Sequence, residues 1–157
     1  MGTEKKLKAL KVFFLILLFN FLGVYVTNLL LGNEKVLYNS LEKPWFSLPI
    51  NLFPLIWSVL YLLLAIAVVL NYKKSGQHIL IYILFMLINF YWSYIFFVQN
   101  LYGIGFFIII ILIISFLYLC IKYFKSSKLA SFIVCIYLVY LVYVGLLNYF
   151  IWMYNEM

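Results

Sequence analysis

The sequence predicts an all-α integral membrane protein: one transmembrane domain over residues 1–157, built of five helices, with a proline- and aromatic-rich lid loop between the first two. Hydrophobic residues make up 69% of the chain, charged residues only 10%, and the mean hydropathy is +1.16. A soluble domain of this size could not cover so much apolar surface with so few polar side chains. A membrane-crossing helix needs about 20 apolar residues, so the charge-free segments mark the spans. The predicted spans cover about residues 9–31, 53–72, 79–98, 102–121 and 129–153.

The first predicted span follows a lysine-rich N-terminus, an arrangement similar to the start of a secretory signal peptide. Its apolar run is too long for a signal peptide, and no cleavage site of small residues follows it. We therefore expect this segment to remain in the protein as a membrane helix. Helical spacing places Asn20, Gly23 and Thr27 on one face of it.

All three prolines fall in or beside the connection between the first two spans. Pro44, Pro49 and Pro54 recur every five residues, and Trp45 and Phe46 lie between the first two of them. Proline lacks a backbone donor and disfavours helix at the preceding residue, so the pattern predicts a rigid extended loop that ends where the second span begins. We expect its residues Pro44, Trp45, Phe46 and Pro49 to form a lid on the bundle.

The segment between Ser75 and Ile121 contains no Lys, Arg, Asp or Glu and is too long for a single crossing. It is therefore predicted to hold the third and fourth spans. A polar stretch near residue 100, which includes two glycines, is the predicted turn between them. That stretch contains Gln99, Asn100, Gly103 and Gly105.

The distribution of lysines predicts the orientation. All eleven basic residues are lysines; nine fall on the side of the N-terminus, and only Lys35 and Lys43 fall on the other. The positive-inside rule then predicts a cytoplasmic N-terminus, with the lid loop and the C-terminus exoplasmic, in what we expect to be the cell membrane. The net charge of +7 fits contact with anionic lipid, whereas nucleic-acid binding would need a soluble basic surface.

Several kinds of chemistry are excluded by what the sequence lacks. The chain has no Asp, no Arg and one histidine, His78, which is predicted to lie in a loop and not to bind haem iron. These residues cannot form a Ser/His/Asp triad or a carboxylate pair, and no ionisable group within a span suggests an ion-coupled pump. Cys120 and Cys135 are interpreted as small core residues and not as a metal site or redox pair. We predict no metal site and no required cofactor.

Uncharged polar and aromatic residues, joined by the small residue Val144, recur on one face of four spans. They are Thr27 in the first; Trp57 and Tyr61 in the second; Asn89, Trp92 and Ser93 in the third; and Tyr140, Val144 and Asn148 in the fifth. One interpretation is that the amides only join helices, at about 1 kcal/mol or less per hydrogen bond. Together with the aromatic loop, the stripes favour a pocket for a large, flat hydrophobic ligand that stacks on indole and phenol rings.

Three sequence blocks resemble the TspO/MBR family, the tryptophan-rich sensory proteins known in animals as translocator protein or peripheral benzodiazepine receptor. The first block runs from Tyr38 through KPWFSLP at 43–49 to LY at 60–61. The second is NFYWS at 89–93 followed by FF, and the third is LN at 147–148 followed by Trp152 and Asn155. The resemblance extends from about Gly23 to the C-terminus.

The resemblance implies a five-helix bundle whose first loop closes a pocket for tetrapyrroles such as haem and protoporphyrin. It also implies sterol-like or drug-like ligands as further hydrophobic partners, a sensory, regulatory or carrier role, and it leaves a homodimer open. It adds Tyr38 to the predicted site. The expected ligand-binding residues are then Thr27, Tyr38, Trp57, Tyr61, Asn89, Trp92, Ser93, Tyr140, Val144 and Asn148.

The chain departs from the family pattern at Leu37, where a Trp is usual, at Leu48, where a Pro is usual, and at Tyr140, where many members have Trp. Bacterial members are associated with light-dependent porphyrin breakdown through pocket tryptophans. If this chain were photochemically active, Trp57 and Tyr140 would be the residues involved; no other catalytic residue is assigned. Two alternatives to a binding protein stay open: an enzyme that photo-oxidises protoporphyrin, and a small permease or accessory subunit.

Overall fold

A computed structural model describes residues 2–75 and 78–157, and this part of the chain contains six helices and no strand. Five of the helices are long and apolar enough to cross a membrane, and the sixth is a short helix after the first. The helices are α1 (Gly2–Leu31), α2 (Glu34–Ser40), α3 (Leu52–Ser75), α4 (Ile79–Phe97), α5 (Tyr102–Ser126) and α6 (Lys128–Asn155). The prediction of an all-α, five-span membrane protein is confirmed.

The helices extend beyond the predicted spans at the lysine-rich end. α1 begins at Gly2 and α5 continues to Ser126, because a helix satisfies its own backbone hydrogen bonds beyond the edge of the apolar layer. Lys8 and Glu4 form an exposed i,i+4 ion pair of 3.0 Å on the first turns of α1, which contributes little stability. A change from apolar to charged residues therefore marks the edge of the membrane and not the end of the helix.

The short helix α2 lies in a region where the sequence analysis predicted only loop. It follows Gly32, whose φ of 64° is readily available to glycine, and it ends where Leu41 adopts an extended conformation. The Lys43 ammonium donates to the carbonyls of Tyr38 at 2.6 Å and Leu41 at 2.7 Å. A cation at the C-terminal end of a helix is favourable, so Lys43 stabilises α2.

The turn between α4 and α5 is shorter than predicted. Asn100 adopts a left-handed conformation with φ 55°, but Gly103 and Gly105 lie within α5. A Cβ at Gly103 would lie 2.7 Å from the Trp152 indole nitrogen, and one at Gly105 would lie 3.0 Å from Asn148 Oδ1. These glycines are therefore needed for close packing of α5 on α6, not for the turn.

The five long helices pack in a closed ring in the order α1, α3, α6, α5, α4. The antiparallel pair α5 and α6 makes the most extensive contact. Large side chains, including Tyr82, Phe116, Tyr123 and Tyr137, are fully buried in the centre, while most apolar side chains on the outside are exposed. This arrangement suits a bundle whose outer surface meets lipid.

The C-terminus ties two connections to the end of α6. Glu156 accepts hydrogen bonds from the backbone N–H groups of Tyr102 at 2.7 Å and Gly103 at 3.0 Å, so its carboxylate caps the first turn of α5. Asn155 both accepts from the Glu42 N–H and donates to the Glu42 carbonyl, each at 3.0 Å. The loop before α3 and the start of α5 are thereby fixed at the same end of the bundle.

Candidate ligand-binding cavity

A cavity of about 290 Å³ lies between α1, α3, α4 and α6, and α2 forms part of its wall. Eight of the ten predicted ligand-binding residues line it: Thr27, Tyr38, Trp57, Tyr61, Trp92, Ser93, Val144 and Asn148. The cavity is also lined by Val24, Asn28, Glu34, Lys35, Ile50, Phe53, Pro54, Ser58, Phe90, Phe96, Phe97 and Leu147. The lining is therefore mostly aromatic and aliphatic, with a few polar groups, as is common in small-molecule sites.

Trp57 is the centre of an aromatic cluster in the cavity wall. Its ring centroid lies 5.5 Å from that of Tyr61 and 6.4 Å from that of Trp92. Phe96 continues the cluster, 5.5 Å from Trp92. These separations are those of ring pairs that attract one another, so the aromatic wall is held in place by its own contacts.

Trp92 and Asn148 form a hydrogen-bonded pair beside these rings. The Trp92 indole N–H donates to Asn148 Oδ1 at 3.0 Å, and Asn148 Nδ2 donates to the Tyr102 carbonyl at 2.7 Å. Both side chains are buried, and Gly105 leaves the room that Asn148 occupies. Because the indole N–H and both ends of the amide are already paired, Trp92 offers the cavity mainly its ring.

Asn89, which was predicted to bind ligand, is not among the lining residues. Its Nδ2 donates to the Tyr61 hydroxyl at 2.7 Å, and its Oδ1 accepts from the Tyr137 hydroxyl at 2.9 Å. The side chain is buried, and it connects α4 to α3 and α6. Asn89 therefore holds the cavity residue Tyr61 in position from behind.

Tyr140 is likewise placed outside the lining. Its ring packs edge-on against Trp57 with a centroid separation of 5.1 Å and an interplanar angle of 83°. Its hydroxyl is buried and has no hydrogen-bond partner among the described residues. Tyr140 thus supports Trp57 in the structure.

Helix α2 contributes to the wall of the cavity through Tyr38. This side chain is buried, its hydroxyl donates to the Leu48 carbonyl at 3.1 Å, and its ring packs edge-on against Phe53 at 5.5 Å. Burial raises the pKa of Tyr38 to about 12. α2 also contacts α4, so it lies across one end of the ring of helices.

The residues predicted to form the lid, Pro44, Trp45, Phe46 and Pro49, are not among the lining residues. Trp45 is 95% exposed, and Phe46 packs against Tyr143 and Phe150 of α6. The Tyr143 hydroxyl accepts from the Leu48 N–H at 3.1 Å and donates to the Phe46 carbonyl at 3.3 Å. The loop is therefore anchored against α6, while α2, Ile50 and Phe53 reach the cavity.

Four polar residues outside the predicted set also line the cavity: Asn28, Glu34, Lys35 and Ser58. Asn28 and Lys35 are exposed and Glu34 is half-buried, so they provide an amide and two opposite charges. From the sequence, Lys35 was identified only as one of the two lysines on the side with few positive charges. The predicted lid lies on the same side, and this was the one indication in the sequence that Lys35 could be close to the cavity. Within residues 2–75 and 78–157, no cluster of three or more His, Cys, Asp or Glu could hold a metal ion.

The chain is similar to known proteins over most of its length. The family model described as the TspO/MBR family matches residues 12–153. The chain is similar to a tryptophan-rich sensory protein of Cereibacter sphaeroides, with 37% identity over 62 residues, which is 38% of this chain and 39% of that protein. It is also similar to protein CrtK of Rhodobacter capsulatus, with 25% identity over 124 residues, which is 75% of this chain and 78% of that protein. The chain thus spans under half of the first relative's length and over three quarters of the second's.

Proposed function

The chain belongs to the TspO/MBR family, and on this premise we propose that it binds a tetrapyrrole, such as haem or protoporphyrin, in the cavity between α1, α3, α4 and α6. The observation that carries the proposal is the aromatic lining. Trp57, Tyr61 and Trp92 lie together in the wall and offer ring faces and edges to a flat conjugated ligand. Sterol-like or drug-like molecules of similar flatness would meet the same rings.

Two of the polar residues of the lining suit a ligand with acidic substituents. The Lys35 ammonium and the Asn28 amide can each donate a hydrogen bond to a carboxylate, and both side chains are exposed. A tetrapyrrole with its ring system inside and its carboxylates towards these two residues would satisfy both parts of the lining. The ligand is bound and released in this proposal, and no resident cofactor is required.

We assign the protein a sensory, regulatory or carrier role in the cell membrane, with the N-terminus in the cytoplasm. The nine-to-two distribution of lysines supports this orientation. In it α2 and the loop before α3 lie on the exoplasmic side, so ligand would enter from that side or from the outer part of the bilayer. Lipid is the surrounding partner, and a homodimer stays a prediction.

The test is a titration of the purified full-length protein in detergent with protoporphyrin, followed by the Soret band and by tryptophan fluorescence. Trp57→Phe should weaken binding because it replaces the central indole of the wall. Trp45→Phe is the matched control, since Trp45 is exposed and outside the lining. Saturable binding that is weakened by the first change and not by the second supports the proposal. Absence of saturable binding would favour a permease or accessory subunit whose polar residues only pack helices.

Light-dependent oxidative degradation of protoporphyrin is the second candidate function. The observation in its favour is that Trp57, an oxidisable indole, lines the cavity with the Tyr140 ring 5.1 Å behind it. Illumination of the protoporphyrin complex separates the two functions. Loss of the Soret band in the light, abolished by Trp57→Phe, would identify the enzyme; a stable band in the light identifies binding alone.

A further inference from the structure

The two cysteines of the chain are in contact across the α5–α6 interface. Cys120 lies in α5 and Cys135 in α6, and their Sγ atoms are 3.1 Å apart. α5 and α6 form an antiparallel hairpin whose single connecting residue is Ser127. Cys120 lies before Ser127 and Cys135 after it, at nearly equal distances along the chain, so the hairpin brings the two side chains together. From the sequence alone, both were interpreted as small core residues and not as a redox pair.

The two thiols have different surroundings. Cys120 is buried, and its Sγ lies 3.1 Å from the Ser131 hydroxyl, which itself donates to the Cys120 carbonyl at 2.9 Å. Cys135 is exposed on the outside of the bundle. It lies about 10 Å along the helix from Lys128, at 1.5 Å per residue, within the apolar span of α6, so this exposed side chain is at the depth of the hydrocarbon of the bilayer. One thiol is thus accessible from lipid, and the other is held in place beneath it.

We propose that Cys120 and Cys135 are a redox-active pair that closes to an α5–α6 disulfide when a hydroperoxide dissolved in the membrane, such as a lipid hydroperoxide, reacts with Cys135. The present Sγ separation exceeds a disulfide bond by about 1 Å, which is within reach of a small side-chain rotation. The accessible position of Cys135 makes it the first thiol to meet the oxidant, and the buried Cys120 becomes the resolving thiol.

The chemistry balances in two steps. Cys135 Sγ attacks the terminal peroxide oxygen: an S–O bond forms, the O–O bond breaks, and the thiol proton passes to the departing alkoxide, which leaves as an alcohol. Cys120 Sγ then attacks the sulfenic sulfur of Cys135: the S–S bond forms, the S–O bond breaks, and the hydroxyl leaves with the Cys120 proton as water. The two thiols lose two electrons in total, and the hydroperoxide gains them.

The experiment uses the reduced full-length protein in lipid nanodiscs, treated with cumene hydroperoxide, which partitions into lipid, or with an equal concentration of hydrogen peroxide. Trypsin cleaves after Lys122, Lys125 and Lys128, so a disulfide joins two tryptic peptides that otherwise separate. We expect cumene hydroperoxide to produce the joined peptide, with loss of two hydrogen atoms per chain, several-fold faster than hydrogen peroxide does. A reductant should break the disulfide and separate the two peptides again.

Single-cysteine variants test the order of the steps. Cys120→Ser should still react and leave a sulfenic acid at Cys135 that dimedone traps, whereas Cys135→Ser should lose the reaction with cumene hydroperoxide. A thermal melt of each variant checks folding, and alanine replaces serine if a variant melts early. Failure of the wild type to form the joined peptide, or equally fast oxidation of Cys120 in the Cys135→Ser variant, would overturn the proposal.

Discussion

A buried amide beside a cavity can join helices, and it can also hold a ligand-binding residue in position. Replacing Asn89 by leucine separates these two roles. In the structure Asn89 donates to the Tyr61 hydroxyl at 2.7 Å and accepts from the Tyr137 hydroxyl at 2.9 Å. Leucine is similar in size and suits the membrane, so the bundle should still assemble. The change leaves both phenol groups without their amide partner, and only Tyr61 of the two is a lining residue.

The size of the effect follows from these two hydrogen bonds. Interhelical hydrogen bonds in membranes contribute about 0.6–2 kcal/mol each, so loss of the two should lower the free energy of unfolding by about 1–4 kcal/mol. Affinity should change less, because Asn89 acts on the cavity only through the position of Tyr61. We expect protoporphyrin binding to weaken by about 1 kcal/mol, or roughly fivefold in Kd.

Asn20→Leu is the matched control. Asn20 also makes two interhelical hydrogen bonds, donating to the Tyr61 carbonyl at 3.0 Å and accepting from the Tyr82 hydroxyl at 2.8 Å, but it does not line the cavity or bond to a lining side chain. Both variants should lower the melting temperature, while only Asn89→Leu should raise the Kd for protoporphyrin. Equal effects of the two variants on Kd, or an unchanged Kd in a folded Asn89→Leu protein, would refute the positioning role.

Three further predictions concern the cavity, the orientation and α2. Val144→Phe adds bulk to the lining and should abolish protoporphyrin binding, whereas Val142→Phe, on the exposed face of the same helix, should leave the Kd unchanged; equal titrations would place the ligand elsewhere. In a background with both native cysteines changed to serine, Ser40→Cys should react with an impermeant maleimide on intact cells and Lys125→Cys only after permeabilisation, and the reverse pattern would invert the orientation. Because the raised pKa of Tyr38 favours its protonated form in the folded state, its contribution to stability is complete below about pH 10 and is lost as the pH rises to about 12. The melting temperature of the wild type should therefore fall more steeply over this range than that of Tyr38→Phe, and parallel curves would contradict the assignment.

The membrane spans were predictable from the sequence because charge marks the edge of the bilayer. The five predicted segments correspond to α1, α3, α4, α5 and α6. The short helix α2 was not predictable in the same way, since its stability depends on the Tyr38 contact with Leu48 and on the Lys43 cap. Both contacts join residues whose proximity becomes visible only once the loop is folded.

Periodicity predicted which face of a helix points inward but not how far each side chain lies from the cavity. Asn89 and Trp92 share the inward face of α4, yet Trp92 lines the cavity and Asn89 lies behind Tyr61. Tyr140 was predicted on the inward face of α6, but its ring packs against Trp57 and it is not among the lining residues. Depth depends on the neighbouring helices, and no pattern within one helix contains that information.

Three buried amides of the bundle, Asn20, Asn89 and Asn148, are hydrogen-bonded within the protein. A bilayer supplies no water, so each amide within a span needs protein partners. Asn20, Asn89 and Asn148 all meet this need by bonding to other helices, and Asn148 also takes the N–H of Trp92. Their polar groups are then no longer free for a ligand, and what lines the interior of the cavity is mainly ring and aliphatic surface. Discrimination between ligands would accordingly depend on shape and stacking inside, and on charge only where Glu34 and Lys35 reach the lining.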